Sequence, residues 1–73
     1  MNTTRQRPFP LNTRAHVISA TYAHDGLHAG AIVRVVNERR HDPMRRDVTW
    51  YDERAQRWRE YVVKVSHMSA IDD

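Results

Sequence analysis

At 73 residues with a formal net charge of +3, the chain has room for one domain, and a domain this small buries only about 60% of its unfolded surface. Leu, Ile, Val and Phe supply just 14 residues, close to the lower limit for a packed core, although the modest net charge argues against full disorder. The lack of cysteine excludes a disulfide framework, a thiolate metal site and a cysteine nucleophile. No apolar run approaches a membrane span and Met1–Pro10 has no signal-peptide core, so a small soluble intracellular domain is expected.

Charge is unevenly spread. The first 46 residues carry eight Arg against Asp25, Glu38 and Asp42, whereas residues 47–73 carry three Arg and Lys64 against six acids. A basic front and a mildly acidic back suit a partner surface at one end. Eleven of the twelve cations are Arg. Arg pairs bidentately with carboxylate or phosphate and stacks on flat rings, as an interface needs; the same bias also follows from a GC-rich genome.

Residues 1–14 are polar, aperiodic and punctuated by Pro8 and Pro10 around Phe9. They read as an extended basic arm in which Arg5, Arg7 and Phe9 order on a partner, or as a solvated tail. The β domain is expected over residues 15–66. Its first strand is Ala15–Tyr22, ended by the turn signal Asp25-Gly26. The second is Ala31–Val36, with Ala31, Val33 and Val35 on one face and Ile32, Arg34 and Val36 on the wetter one. A loop with Pro43 follows over residues 37–46, then a third strand, Asp47–Asp52, alternating Val48, Trp50 and Asp52 with Thr49 and Tyr51. The turn Glu53–Gln56 leads to a fourth strand, Arg57–Val65, whose apolar face is Tyr61, Val63 and Val65; residues 52–60 could alternatively host one helical turn. Residues 67–73 form a polar tail ending in two acids. Eight Val against two Leu favour strand over helix. The expected fold is mainly β: about four antiparallel strands curled into an SH3-like partial barrel, because a flat sheet of this size would leave too little core.

Three groups of residues invite functional readings. Arg39, Arg40, Arg45 and Arg46 place four guanidiniums within eight residues, a repulsion that an anionic partner relieves, unless Glu38, Asp42 and Asp47 already offset it. Trp50, Tyr51, Trp58 and Tyr61 fall on two strands that pair across a short turn, with Trp50 opposite Trp58. Most of these rings are expected in the core. A partly exposed one beside Arg57 or Arg59 has the composition of a protein–protein anchor and equally of a base-stacking platform. His24 and His28 share a face only on a helix, and Gly26 between them argues against one, so no metal site is expected. Ser19, Ser66 and Ser69 with His67 lack the accompanying glycines or paired carboxylates of a catalytic site, and the chain is not expected to be an enzyme or to carry a cofactor.

The run from Met1-Asn2-Thr3-Thr4-Arg5 through Asp47-Val48-Thr49-Trp50-Tyr51 to Ser69-Ala70-Ile71-Asp72-Asp73, with the overall length and Arg-rich character, resembles small phage-encoded transcription regulators that bind the RNA polymerase of a Gram-negative host. The resemblance implies a protein of the host bacterial cytoplasm that docks on the β and β′ subunits near the RNA exit channel. It further implies inhibition of initiation by sigma-factor displacement, antitermination at intrinsic terminators and action by occupancy. Such a binder, expected as a monomer, meets acidic polymerase surface and emerging RNA. Candidate contacts are Arg5, Arg7 and Phe9 in the arm, Arg39, Arg40, Arg45 and Arg46 for charge pairing, and Trp50, Tyr51 and Trp58 as apolar anchors. The competing class is a stand-alone nucleic-acid-binding SH3-like module.

Overall fold

The computed structural model describes residues 9–71; Arg5, Arg7, Asp72 and Asp73 lie outside them. The chain is mainly β. Five strands, β1 (Arg14–Val17), β2 (Ile32–Asn37), β3 (Arg45–Asp52), β4 (Arg57–Lys64) and β5 (Met68–Ala70), form one antiparallel sheet in the order β4-β3-β2-β1-β5. A meander runs from β1 to β4 and β5 returns to pair with β1, giving one open antiparallel sheet of five strands. Strands β4 and β5 are its open edges.

Alternation sorts the side chains into two faces. Ala15 and Val17 of β1, Val33 and Val35 of β2, Val48 of β3, Val63 of β4 and Met68 of β5 point inward, where Leu27 and Ala31 join them. Phe9, Tyr22, Trp50 and Tyr61 pack around this core and compensate for its small volume. Each fully buried Val or Leu contributes roughly 1.5–3 kcal/mol, so a core of nine small side chains leaves little reserve.

The first strand is shorter than its β-branched composition predicts. After Val17 the chain turns into a 3₁₀ helix, Ala20–Asp25, rather than continuing to Tyr22. Ser19 caps it, its Oγ accepting the Thr21 N–H at 3.1 Å, and Gly26 ends it at φ 103°, donating to the carbonyls of Ala23 and Tyr22. That left-handed geometry is one glycine adopts without strain. Tyr61 secures the helix from β4 by donating its hydroxyl to the Asp25 carbonyl at 2.9 Å.

The segment read as a polar tail also departs from expectation. Met68–Ala70 pairs with β1 in the register Ala15↔Ala70, His16↔Ser69 and Val17↔Met68. The preceding 3₁₀ helix, Val65–His67, turns the chain back after β4, and Tyr22 holds it, its hydroxyl 2.8 Å from His67 Nδ1 and accepting the Lys64 N–H at 3.0 Å. Three residues with one buried side chain, Met68, are too short for alternation to be read in sequence. At the other end, β1 starts at Arg14, and residues 12 and 13 of the presumed arm dock on β2 through Asn12 N–H to Val35 O (2.8 Å) and Val35 N–H to Thr13 O (2.9 Å). The β3–β4 connection is a turn, without a helix over residues 52–60. The Asp52 carboxylate accepts the N–H groups of Arg54 and Ala55, and Gln56 takes φ 56°.

Leu27 has no exposed surface and belongs to no strand, yet it plugs the core beneath the loop before β2. Leu27→Ala is expected to lower the unfolding free energy by about 2–5 kcal/mol, enough to unfold a large fraction of a marginal domain. The half-exposed Leu11 changed to Ala is expected to cost about 0.5 kcal/mol or less. Urea titration followed by Trp fluorescence compares the two.

Candidate partner-binding surfaces

Arg46 departs furthest from its expected role. It lies within β3 on the inner face and is only 3% exposed. Its guanidinium donates to the carbonyls of Pro43 (2.8 Å), Arg45 (2.8 Å), Phe9 (3.2 Å) and, at the limit of a hydrogen bond, Glu38 (3.5 Å). A planar fork of five donors reaches carbonyls spread over several ångströms, whereas an ammonium offers three donors from a single point. Arg46 therefore organises the loop from within and is not part of a surface cation cluster. Phe9, expected to order only on a partner, is already half-buried against the core with its carbonyl held by Arg46. The Leu11 N–H adds a second tie, to Glu38 Oε2 at 3.1 Å.

The other three loop guanidiniums are at the surface. Arg39, at φ 53°, reaches Asp47 at 2.7 Å, and Arg45 reaches Asp42 at 2.7 Å. Arg40 is exposed and has no ion-pair partner among the described residues. Lys64 joins this end because the β3–β4 register sets it opposite Arg45. Met44, 62% exposed, supplies an apolar contact in the same place. The loop is built rather than slack: Asp42 N–H donates to Arg39 O, Arg45 N–H to Asp42 O, and Val65 N–H to Met44 O.

The aromatic residues separate into two sets on opposite faces. Strand register pairs Trp50 with Arg59 and Tyr51 with Trp58, which overturns the expected Trp50–Trp58 pair. The four-residue turn sets this register by pairing Asp52 with Arg57, and a one-residue slip would move every side chain to the other face. Trp50 is half-buried on the inner face, edge-on to His28 at 5.6 Å and tilted against Tyr61 at 6.4 Å. Tyr51 and Trp58 meet edge-to-face at 5.3 Å on the outer face, 39% and 66% exposed. His28, Ile32, Arg54 and both Trp side chains line an open groove around this end of the hairpin. Ile32 carries no distinguishing signal beyond its place on the wetter face of β2.

Asp52 closes the hairpin end. Only 8% exposed, it accepts Arg59 Nε at 2.8 Å along with its two turn N–H groups. Burial raises its pKa, but the Ala55 N–H, the Arg59 guanidinium and the Arg54 N–H together outweigh burial and hold it below the usual 3.8. Asp42 is likewise lowered, chiefly by the hydrogen bond from Arg45. The partners these carboxylates hold, Arg59 and Arg45, are thereby withdrawn in part from any ligand.

No other cluster stands out as chemistry. His24 faces Asp25 at 3.4 Å while His28 packs on Trp50, so the two imidazoles serve different neighbours. Among the described residues no group of three His, Asp or Glu side chains could hold a metal, and no helix is long and apolar enough to cross a membrane. Ser19 is engaged with Thr21, and His67 with Tyr22. The chain matches no protein-family model, and comparison with curated proteins and with solved structures finds no match.

Two outcomes test this geometry. Arg46→Ala is expected to cost on the order of 2–3 kcal/mol in urea unfolding, with Arg46→Lys restoring only part of it, whereas Arg40→Ala should change stability by about 0.5 kcal/mol or less. Asp52 titrates lower in the folded chain than in the unfolded one, so its contribution is complete above the ordinary 3.8 and is lost as pH falls through the depressed folded value. Asp52→Asn should therefore flatten the acid limb of stability against pH, read from urea midpoints between about pH 5 and pH 2.

Proposed function

We propose that this chain is a non-enzymatic, phage-encoded regulator that binds the RNA polymerase of its bacterial host near the RNA exit channel. Docked on the β and β′ subunits in the host cytoplasm, it restrains initiation by helping to displace the sigma factor and suppresses termination. The observation that carries this reading is the basic end of the molecule, where Arg40 and Lys64, with the salt-bridged Arg39 and Arg45, lie on and beside the hydrogen-bonded loop that exposes Met44. The resemblance seen in the sequence supports the choice of partner.

A cation cluster around one apolar side chain fits an acidic protein surface. Long-range attraction raises the association rate, and the apolar contact at the centre slows departure. The loop needs little ordering on binding, because the Arg46 fork already holds its carbonyls, and preorganisation lowers the entropic cost of association. Action then follows from occupancy: a bound domain beside the exit channel takes up the space in which an RNA hairpin folds, and its charge competes for surface that sigma uses.

The test is gel filtration of the full chain with purified host core polymerase. Co-elution is expected, and the combined Arg39→Ala, Arg40→Ala and Arg45→Ala variant should associate roughly tenfold more slowly with a weaker dependence on salt. Arg46 is left unchanged because its loss would disturb the fold. A wild-type chain that does not co-elute with core polymerase or holoenzyme overturns the reading; unaltered kinetics in the triple variant would remove the loop from the contact.

A further inference from the structure

We propose that the outer face of the sheet binds single-stranded RNA, with bases on an apolar row and phosphates on cations beside it. This goes beyond the polymerase contact and centres on a different region, the two sharing Arg45 and Lys64 at one end. The row follows from the register. Trp58 pairs with Tyr51 and His16 with Ile32, and the β2–β3 pairing that sets Arg34 opposite Thr49 carries Ile32 alongside Tyr51. Trp58, Tyr51, Ile32 and His16 thus form one line across β4, β3, β2 and β1, with neighbouring strands about 4.8 Å apart. Three of the four are large apolar side chains exposed by 39–66%. The next line, two residues along each strand, is Glu60, Thr49, Arg34 and Arg14, with Arg14 directly opposite Arg34.

A phosphate lying between Arg34 and Arg14 would meet a guanidinium from each of the two strands. Arg45 and Lys64 repeat the arrangement at the far end of the same face. Among the described residues the face presents Glu60 and Asp47 against these cations; Asp47 is already engaged by Arg39 and Asn37, Arg45 by Asp42, and the Arg34 guanidinium donates to the Asn12 carbonyl while keeping its charge. Among the described residues the face therefore keeps a net positive charge, carried chiefly by Arg34 and Lys64, as a polyanion requires.

The rings favour nucleic acid over an acidic peptide as the occupant. A Trp that anchors a protein contact needs a rim of neighbouring groups on its own surface that shuts out water once the partner is bound. Trp58 instead stands two-thirds exposed on a sheet face, and its edge-to-face contact with Tyr51 at 69° leaves flat ring surface open. Any base covers such a surface with its π face, whatever the sequence, and Arg34 and Arg14 lie one line away for the backbone. A duplex could not present its stacked bases to the row, which selects the single-stranded form.

A fluorescein-labelled oligouridine titrated with the full chain at low salt provides the test, read by anisotropy. Binding is expected, with log affinity falling by about 0.7 per log salt for each phosphate neutralised, and with Arg34→Gln reducing that slope. Trp58→Ala should weaken binding roughly five- to hundredfold and Tyr51→Ala likewise, with Trp58→Phe retaining much of it. Glu60→Gln should strengthen it. Circular dichroism verifies that each variant folds; because Trp58 is mostly exposed, its removal should leave the sheet intact. Absence of binding to the oligouridine, or binding unchanged in both aromatic variants, overturns the proposal. If Trp58→Ala instead abolishes co-elution with polymerase while RNA binds to neither form, the face is a protein contact and the proposal is likewise wrong. RNA binding in a chain that ignores polymerase would uphold this inference and overturn the polymerase reading alone.

Discussion

A buried guanidinium holds together the parts of this molecule that alternation alone would leave loose. Arg46 occupies an inner position of β3 at which a sheet this small would ordinarily spend an aliphatic residue. Burying a charge is costly, and the cost is offset only when hydrogen bonds replace the lost water. Carbonyls drawn from Phe9, Pro43 and Arg45 supply those bonds, so the beginning of the described chain, the loop and the strand meet at one side chain. The ordered loop and the docked Phe9 both depend on that fork.

The scarcity of apolar residues constrains where function can lie. Nearly every inward position is needed for the core, which Ala15, Val17, Val33, Val35, Val48 and Val63 help to fill. What remains for recognition is the outer face of the sheet and the loop ends. The exposed Ile32, Tyr51 and Trp58 would be poor economy in a chain with so little apolar surface to spare, unless something covers them. Their separation from Arg39, Arg40 and Met44, by most of the length of β3, leaves two distinct exposed regions on one small domain.

This arrangement suits a protein that works by standing between larger partners. One end offers charge and a single Met, the other flat rings beside paired arginines. The sheet between them is rigid at modest size, because hairpins bring sequence neighbours together and only β5 must return from a distance. The open edges, β4 and β5, carry the alternating charges and short length that discourage unwanted strand pairing.

Much of the architecture was legible without coordinates. Period-2 alternation in Ala31–Val36 and Asp47–Asp52 assigned the strands and, in the first of them, the inner face, and the valine-rich, leucine-poor composition selected a sheet over helices. The exposure of Arg39 and Arg40 also follows from their place in a polar, aperiodic loop, whereas nothing along the chain singled out Trp58 as the exposed ring. Local pattern was silent where long-range contacts decided the outcome. Strand β5 exists because β1 offers a free edge, and residues 18–22 leave the sheet because Ser19 and Gly26 cap a helix that Tyr61 then pins. The turn register chose Tyr51 over Trp50 as the partner of Trp58, and four carbonyls remote in sequence or in the loop turned Arg46 inward. Alternation is a property of neighbours along the chain and can be read from it; register, edge pairing and the burial of a charge depend on groups that only folding brings within reach.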